Sequence, residues 1–315
     1  GMMRERGRRG VLRRGTLIGL VLQAGLAALL ATEARAQGAS ILQRATGLTS
    51  PIGLAGSGAT SGVALAHYEP GARYALDAVS SEARRDEGGW VISGAKTYVL
   101  NGAGADQLIV SARTAKGLSL FLAERVAPGI TVRDYPMYDA RRAAEVRFDG
   151  VRVGPGALLG EEGGAAPHLA ATIDAAIAAL CADAVGAMSV LLEMTGQYLK
   201  TRKQFGVPIG SFQVLQHRMA DMLLETETAR SMALLAAHGV GQPDPGERAR
   251  LVSAAKVRVG EAARFVGQQA VQLHGGIGVT DELAVSHYFK RLTMFEIAFG
   301  DSDHHLESVG KHLFD

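Results

Sequence analysis

At 315 residues the chain is long enough for two domains with sizeable cores. Its net charge of +2 hides an asymmetry: residues 1–62 carry eight arginines, no lysine and only two acids, Glu5 and Glu33, while the remainder is acidic on balance, which gives no reason to expect nucleic acid as a partner. The one cysteine, Cys181, excludes an internal disulfide and lies in the apolar run Ala178-Ala179-Leu180-Cys181-Ala182, so a buried structural thiol is expected rather than a nucleophile.

In chain order, Arg13-Arg14 precedes an uncharged run from Gly15 to Thr32, and Ala34-Arg35-Ala36 follows. A basic start, an apolar stretch and a small-x-small site read as a secretory signal of twin-arginine type. The competing reading of residues 1–62 is the remnant of a helical domain. Residues 63–160 read as β-rich. The apolar runs Leu108-Ile109-Val110-Ser111, Leu118-Ser119-Leu120-Phe121-Leu122 and Ile130-Thr131-Val132 are short, and Gly102-Ala103-Gly104, Lys116-Gly117 and Pro128-Gly129 punctuate them. Arg84-Arg85-Asp86-Glu87-Gly88-Gly89 predicts a hairpin tip, and the spacing predicts an antiparallel barrel or sandwich. Residues 161–315 read as helical. Long segments are predicted near 168–200, 212–239 and 247–272, with Pro243-Asp244-Pro245 between the last two and a shorter helix near 282–297. Long helices with short connections predict an antiparallel four-helix bundle.

Two motifs on the helical segments are more specific than a lone glycine-rich loop. One is Arg202-Lys203-Gln204-Phe205-Gly206-Val207-Pro208-Ile209, followed by Phe212-Gln213 and Gln216-His217-Arg218-Met219-Ala220-Asp221-Met222. The other is Gln272-Leu273-His274-Gly275-Gly276-Ile277-Gly278-Val279-Thr280. Upstream stand Ala66-His67-Tyr68-Glu69-Pro70-Gly71-Ala72, Gly89-Trp90-Val91-Ile92-Ser93-Gly94-Ala95-Lys96-Thr97-Tyr98, and Phe148-Asp149-Gly150-Val151-Arg152-Val153. Over residues 64–313 the chain resembles the acyl-CoA dehydrogenases, flavoproteins that desaturate acyl-CoA thioesters between Cα and Cβ. The resemblance implies an α+β protein: a middle β-barrel, then a C-terminal four-helix bundle. The N-terminal helical domain that members carry is shortened or absent here. CoA thioesters and their electron acceptor are found inside the cell, so a cytoplasmic location and the remnant reading of residues 1–62 are expected over the signal.

A guanidinium can grip a diphosphate in bidentate fashion, and glycines let a ligand approach the backbone. The resemblance gives these motifs to FAD: Arg202, Gln204 and Phe205 on the diphosphate, Gln272, Gly275 and Gly276 beside it, with the cofactor bound mainly by a neighbouring subunit. Alone, the first motif also reads as an ordinary interhelix loop and the second as a glycine-rich helix C-cap. A shared cofactor makes a homo-dimer or tetramer the expected assembly. On the flavin side the resemblance points to Tyr98 and Tyr68, and on the CoA side to Asp174 and Tyr74.

Desaturation needs a carboxylate to remove the α-proton, polarisation of the thioester carbonyl, and a flavin to accept the β-hydride. The resemblance puts the usual glutamate base at Phe299, which cannot take a proton. The alternative position on the first long helix falls near Ala176, which is no base either. Asp301 is the nearest candidate base, and Asp303, Glu296 and Asp174 are further carboxylates. Asp301-Ser302-Asp303 also suits a helix start. His304-His305 has no ligand-set spacing, so no metal is expected. The departures resemble members similar to the pimeloyl-CoA dehydrogenase small subunit. The implied function is α,β-dehydrogenation of an acyl-CoA with electrons passed to an electron-transfer flavoprotein. The alternative is a non-catalytic partner subunit in a hetero-oligomer with a glutamate-bearing paralogue; a flavin oxidase or nitroalkane-type enzyme on the same fold is a third reading.

Overall fold

The computed structural model describes residues 62–311. Both readings of the N-terminal segment concern residues outside that range. The described residues divide between Thr172 and Ile173 into two compact units.

The first unit is built on one eight-stranded sheet. Its strands are β1 (Val63–Ala66), β2 (Glu82–Asp86), β3 (Gly89–Leu100), β4 (Gln107–Thr114), β5 (Gly117–Glu124), β6 (Ile130–Pro136), β7 (Arg142–Val153) and β8 (Leu158–Leu159). The spatial order is β6-β7-β3-β2-β4-β5-β8, with β1 beside β4. The predicted hairpin tip forms between β2 and β3, where Asp86 pairs with Gly89 across Glu87 and Gly88. Gly89 has φ +148°, and a Cβ there would lie 2.2 Å from the Val153 carbonyl oxygen, so glycine is required. The expectation of an antiparallel sheet needs one correction. β1 runs parallel to β4, Val63 opposite Gln107 through Ala66 opposite Val110, and Glu82 of β2 pairs in parallel with Arg113. Parallel neighbours require a crossover, and the chain between β1 and β4 supplies it by folding β2 and β3 first. The sheet is therefore mixed, and among the described residues no pairing joins its β6 and β8 ends.

β4 is apolar on both faces because both are covered. Leu108, Val110 and Ala112 enter a core with Trp90, Ile92, Phe121 and Phe148. Ile109, on the opposite face by the two-residue period of a strand, joins Leu118, Leu120 and Leu159 with Ala165 and Leu169 from a helix start. The Trp90 and Phe121 rings meet edge to face at 5.1 Å, worth about 0.5–1.5 kcal/mol beyond the area they bury.

The second unit is helical. Helix α1 (Ala165–Thr201) contributes its residues from Ile173 onward, and α2 (Gln213–Val240), α3 (Pro245–His274), α4 (Ala284–Ile297) and α5 (Ser302–Lys311) follow. α3 starts where the sequence punctuates it: the Asp244 carboxylate accepts from the Glu247 N–H at 2.7 Å and Pro245 fills the first turn. Its apolar faces pack against α2, α4 and α5. Polar ties hold α1 to the others: Asp174 to Arg248 of α3 at 2.9 Å, Asp183 to Arg291 of α4 at 2.9 Å, and Ser189 to Arg230 of α2 at 3.2 Å. Cys181 is fully buried on α1, and burial pushes its thiol up to about 12, as expected of a structural cysteine. The four predicted helices are joined by a fifth, α5.

Candidate functional site

At the end of α1 the Arg202 N–H donates to the Tyr198 carbonyl at 2.8 Å, and the Arg202 carbonyl accepts from the Ile209 N–H at 2.8 Å. Between these bonds the chain folds into a hairpin of β9 (Lys203–Gln204) and β10 (Val207–Pro208), Gln204 opposite Val207. Its tip is Phe205-Gly206, with φ +54° and +82°. Two consecutive positive φ values make the tight primed turn that suits the twist of paired strands. Glycine adopts that conformation freely. Phenylalanine does so at a cost, and such strain clusters at functional sites. The Phe205 ring is 91% exposed and edge-on to Phe212 at 6.1 Å. Gln204 donates to its neighbour's carbonyl, Lys203, at 2.8 Å. Arg202 is exposed and makes no ion pair among the described residues.

α3 ends at His274. Gly275, with φ +64°, caps it by donating to the Gln272 carbonyl. Gln272, Gly275 and Gly276 are exposed, and a Cβ added at either glycine would meet nothing within 4 Å, so open space faces this backbone. Gly278 differs: it is buried, and its Cβ would lie 2.6 Å from the Val271 carbonyl oxygen. His274 turns inward. Its Nδ1 donates to the Ala270 carbonyl at 2.7 Å and its ring stacks on Tyr198 at 4.5 Å. Burial lowers its pKa, which leaves a neutral ring. Tyr198 is the residue that receives the Arg202 N–H, so the stack brings the two sequence motifs to one end of the helical unit. Among the described residues the Arg202 guanidinium makes no ion pair, and with the exposed Gln272 amide and the uncovered backbone at Gly276 it offers donors that suit a diphosphate.

In the sheet unit a buried polar network stands beside the tyrosines. Glu69 accepts from the N–H and hydroxyl groups of Ser80 and Ser81 and from Lys96 Nζ at 2.7 Å. Burial pushes the Glu69 carboxyl up, but the hydrogen bonds from Lys96, Ser80 and Ser81 prevail and hold it at about 2. Lys96 also donates to the His67 carbonyl at 3.2 Å and to Ser111 Oγ at 2.9 Å. His67 Nδ1 lies 2.9 Å from the same Ser111 Oγ, so one hydroxyl links the lysine and the histidine. Burial, then the Lys96 charge, lowers His67 to about 4, so the ring is neutral.

This network anchors the backbone on which the tyrosines stand. The Thr97 N–H donates to the Tyr68 carbonyl at 2.8 Å, and Tyr98 occupies an irregularity of β3 between Lys96 and Val99 with φ +53°. The Tyr98 hydroxyl is buried with no hydrogen-bond partner among the described residues. Burial pushes it up to about 12. Burial raises Tyr68 as well, and the nearby hydroxyls of Tyr98 and Tyr74 add to the effect. Glu69, Lys96 and His67 were not singled out in the sequence, although all three lie inside the quoted segments.

The remaining candidates carry structural duties. Asp174 pairs with Arg248, both side chains mostly covered. Asp301 caps α5: its Oδ1 accepts from the His304 N–H at 3.0 Å and its carbonyl accepts from the His305 N–H at 3.1 Å. Glu296 accepts from the Ser302 N–H and hydroxyl and pairs with Arg264 at 3.2 Å. Phe299 is buried, with φ +58°, ahead of Gly300 at φ +121°.

Comparison with known proteins gives the class. The family model described as "Acyl-CoA dehydrogenase, middle domain" matches residues 64–151, and "Acyl-CoA dehydrogenase, C-terminal domain" matches residues 169–314. The chain is 32% identical over 255 residues to the probable acyl-CoA dehydrogenase YngJ of Bacillus subtilis (strain 168), covering 77% of this chain and 67% of that protein. It is 32% identical over 261 residues to the mitochondrial 2-methylacyl-CoA dehydrogenase of Solanum tuberosum, covering 80% of this chain and 62% of that one. Among solved structures, butyryl-CoA dehydrogenase from Megasphaera elsdenii superposes with a TM-score of 0.75 at 27% identity, over 81% of this chain and 68% of that one. The chain belongs to the acyl-CoA dehydrogenase family. It spans less than two thirds of the length of the first curated relatives it matches.

Proposed function

We propose that this chain is an FAD-dependent oxidoreductase of the CH–CH class, an acyl-CoA dehydrogenase that forms the α,β-double bond of an acyl-CoA thioester and passes electrons to an electron-transfer flavoprotein. The observation that carries the reading is the convergence of the Arg202 hairpin and the Gln272–Gly276 loop at one end of the helical unit through the Tyr198–His274 stack. FAD, when bound, accepts the hydride equivalent that leaves Cβ. Arg202, Gln204 and Phe205 would hold its diphosphate with Gln272, Gly275 and Gly276. Tyr98 and Tyr68 would line the ring system, with Tyr98 offering a buried hydroxyl that has no hydrogen-bond partner among the described residues. Tyr74 and Asp174 belong to the acyl-CoA side of the same reading. The exposed hairpin tip serves the cofactor of a neighbouring subunit, in a dimer or tetramer. The barrel and four-helix-bundle descriptions of the two units, and a cytoplasmic location, go with this reading.

Phe299 and Asp301 favour a second reading. The side chain at the position of the usual base is a buried phenylalanine, and the nearest carboxylate caps a helix. A non-catalytic partner of a glutamate-bearing paralogue, as in the small-subunit-like branch, fits that pair of facts. One experiment separates the two. The purified chain, loaded with FAD, is mixed anaerobically with a panel of straight and branched acyl-CoAs. Bleaching of the flavin by the chain alone supports the enzyme reading. Bleaching only after a glutamate-bearing paralogue is added supports the partner reading, and none in either case overturns both.

A further inference from the structure

Lys256 of α3 is 1% exposed, a cation enclosed in the helical unit. It forms no ion pair among the described residues. Its ammonium instead donates to three carbonyls, Phe295 at 2.7 Å, Gly300 at 3.0 Å and Glu296 at 3.2 Å, and lies 4.1 Å over the Phe295 ring. Phe295 and Glu296 are in the last turn of α4, whose carbonyls lack helical partners and carry the negative end of the helix dipole. Gly300 lies beyond that helix. One cation therefore spans the turn Ala298–Asp301.

The turn is held from a second side. His305 Nε2 donates to the Phe299 carbonyl at 3.1 Å; a carbonyl can only accept, so this bond fixes the tautomer, and Nδ1 accepts from Ser253 Oγ at 3.0 Å. Ser253 and Lys256 are one turn apart on α3. A Cβ at Gly300 would lie 2.5 Å from His305 Nε2, so the turn admits only glycine there. Burial lowers Lys256 to about 8, with the charges of Glu296 and Asp301 pulling it back, and holds His305 at about 3. At neutral pH the lysine is charged and the histidine neutral. An isolated ammonium is costly to enclose, and methionine would fill a similar volume without that cost.

We propose that Lys256, supported by the Ser253–His305 pair, is a positioning residue that sets the direction in which position 299 presents its side chain to the reacting thioester. The inference rests on the proposed function for what occupies that site. In this chain the side chain presented is that of Phe299. The clamp is nevertheless complete, so a carboxylate introduced there should be delivered in working geometry, and only while Lys256 holds the turn.

The test uses the full chain as F299E, F299E/K256M and F299E/S253A. FAD-loaded protein is mixed with butyryl-CoA and octanoyl-CoA, and hydrogen exchange of peptides covering 296–306 is followed in FAD-free protein. F299E should bleach its flavin. Adding K256M should lower the maximum bleaching rate by about 10²-fold, as a misplaced reacting group does, with little change in the half-saturating acyl-CoA concentration. The turn amides should exchange faster in FAD-free K256M. S253A should act in the same direction with a smaller effect. A rate in F299E/K256M equal to that in F299E overturns the proposal. If F299E itself does not bleach, bleaching says nothing of position 299, the wild-type bleaching test still decides on the proposed function, and exchange alone decides on Lys256: unchanged protection overturns its role, lost protection supports it. If K256M does not fold, the S253A protein decides by the same two readouts.

Discussion

Tyr198 and His274 stack with ring centroids 4.5 Å apart and planes inclined by 30°. The contact ties the end of α1 to the end of α3, so the arginine hairpin and the glycine loop share a face although neither motif touches the other in sequence. Among the described residues Arg202 makes no ion pair. Arg202→Ala is expected to remove a charge-assisted, bidentate contact worth about 1.5–3 kcal/mol, or roughly 10- to 150-fold in FAD affinity. The flavin-to-protein ratio after gel filtration measures it, and an unchanged ratio removes Arg202 from the cofactor site.

Assembly is the second expectation. Phe205, Val214, Leu224 and Leu234 are exposed by 91%, 61%, 66% and 68% on the hairpin and α2. Leu224 and Leu234 lie within about 80° of each other around α2, with Val214 on the far side of Leu234, and exposed large apolar side chains of this kind mark an interaction surface. Light scattering over a concentration series should give a dimer or larger. Leu224→Glu with Leu234→Glu should lower the mass and release flavin together. A monomer that binds FAD stoichiometrically would contradict the shared site.

Asp301 offers a clean contrast between a cap and a base. Asparagine caps a helix about as well as aspartate, whereas alanine costs about 0.5–2 kcal/mol. If capping is its whole duty, Asp301→Asn leaves melting temperature and chemistry alike, and Asp301→Ala only lowers the melting temperature. If it is the base, Asp301→Asn keeps flavin and stability but slows exchange of the substrate α-proton with D2O by about 10²–10⁴-fold.

The Glu69–Lys96 pair sets a pH dependence. Glu69 is held at about 2 against an ordinary 4.5, so its contribution to stability is complete above about 4.5 and is lost as pH falls toward 2. Lys96, lowered by burial to about 8 from 10.5, contributes a penalty with the same slope: the folded state binds its proton less tightly, and stability rises again as pH goes from about 8 to 10.5. Glu69→Gln leaves a buried ammonium without its carboxylate and should cost about 3–5 kcal/mol at neutral pH. It should also flatten the acid limb of a urea-unfolding series between pH 4.5 and 2. An acid limb as steep as that of the wild type would show that another carboxylate sets it.

Local sequence by itself determined the elements and the motifs. Short apolar runs with glycine turns place β4, β5 and the β2–β3 tip, and Asp244-Pro245 starts α3, because chain composition and capping act over a few residues. The Arg202 and Gln272–Gly276 motifs were legible for the same reason. Asp301 as a helix cap was legible too, since its partner amide is three residues away. Tertiary structure alone decided what distant residues do to one another. No local pattern announces that β1 lies parallel to β4, that Lys96 reaches Glu69 inside the sheet unit, or that Asp174 is matched by Arg248. Lys256 in a run of alanines and valines reads as a surface lysine on a helix. Its burial against three carbonyls depends on α4 ending over it and on a turn that only Gly300 permits, and that is a property of packing across more than forty residues of chain.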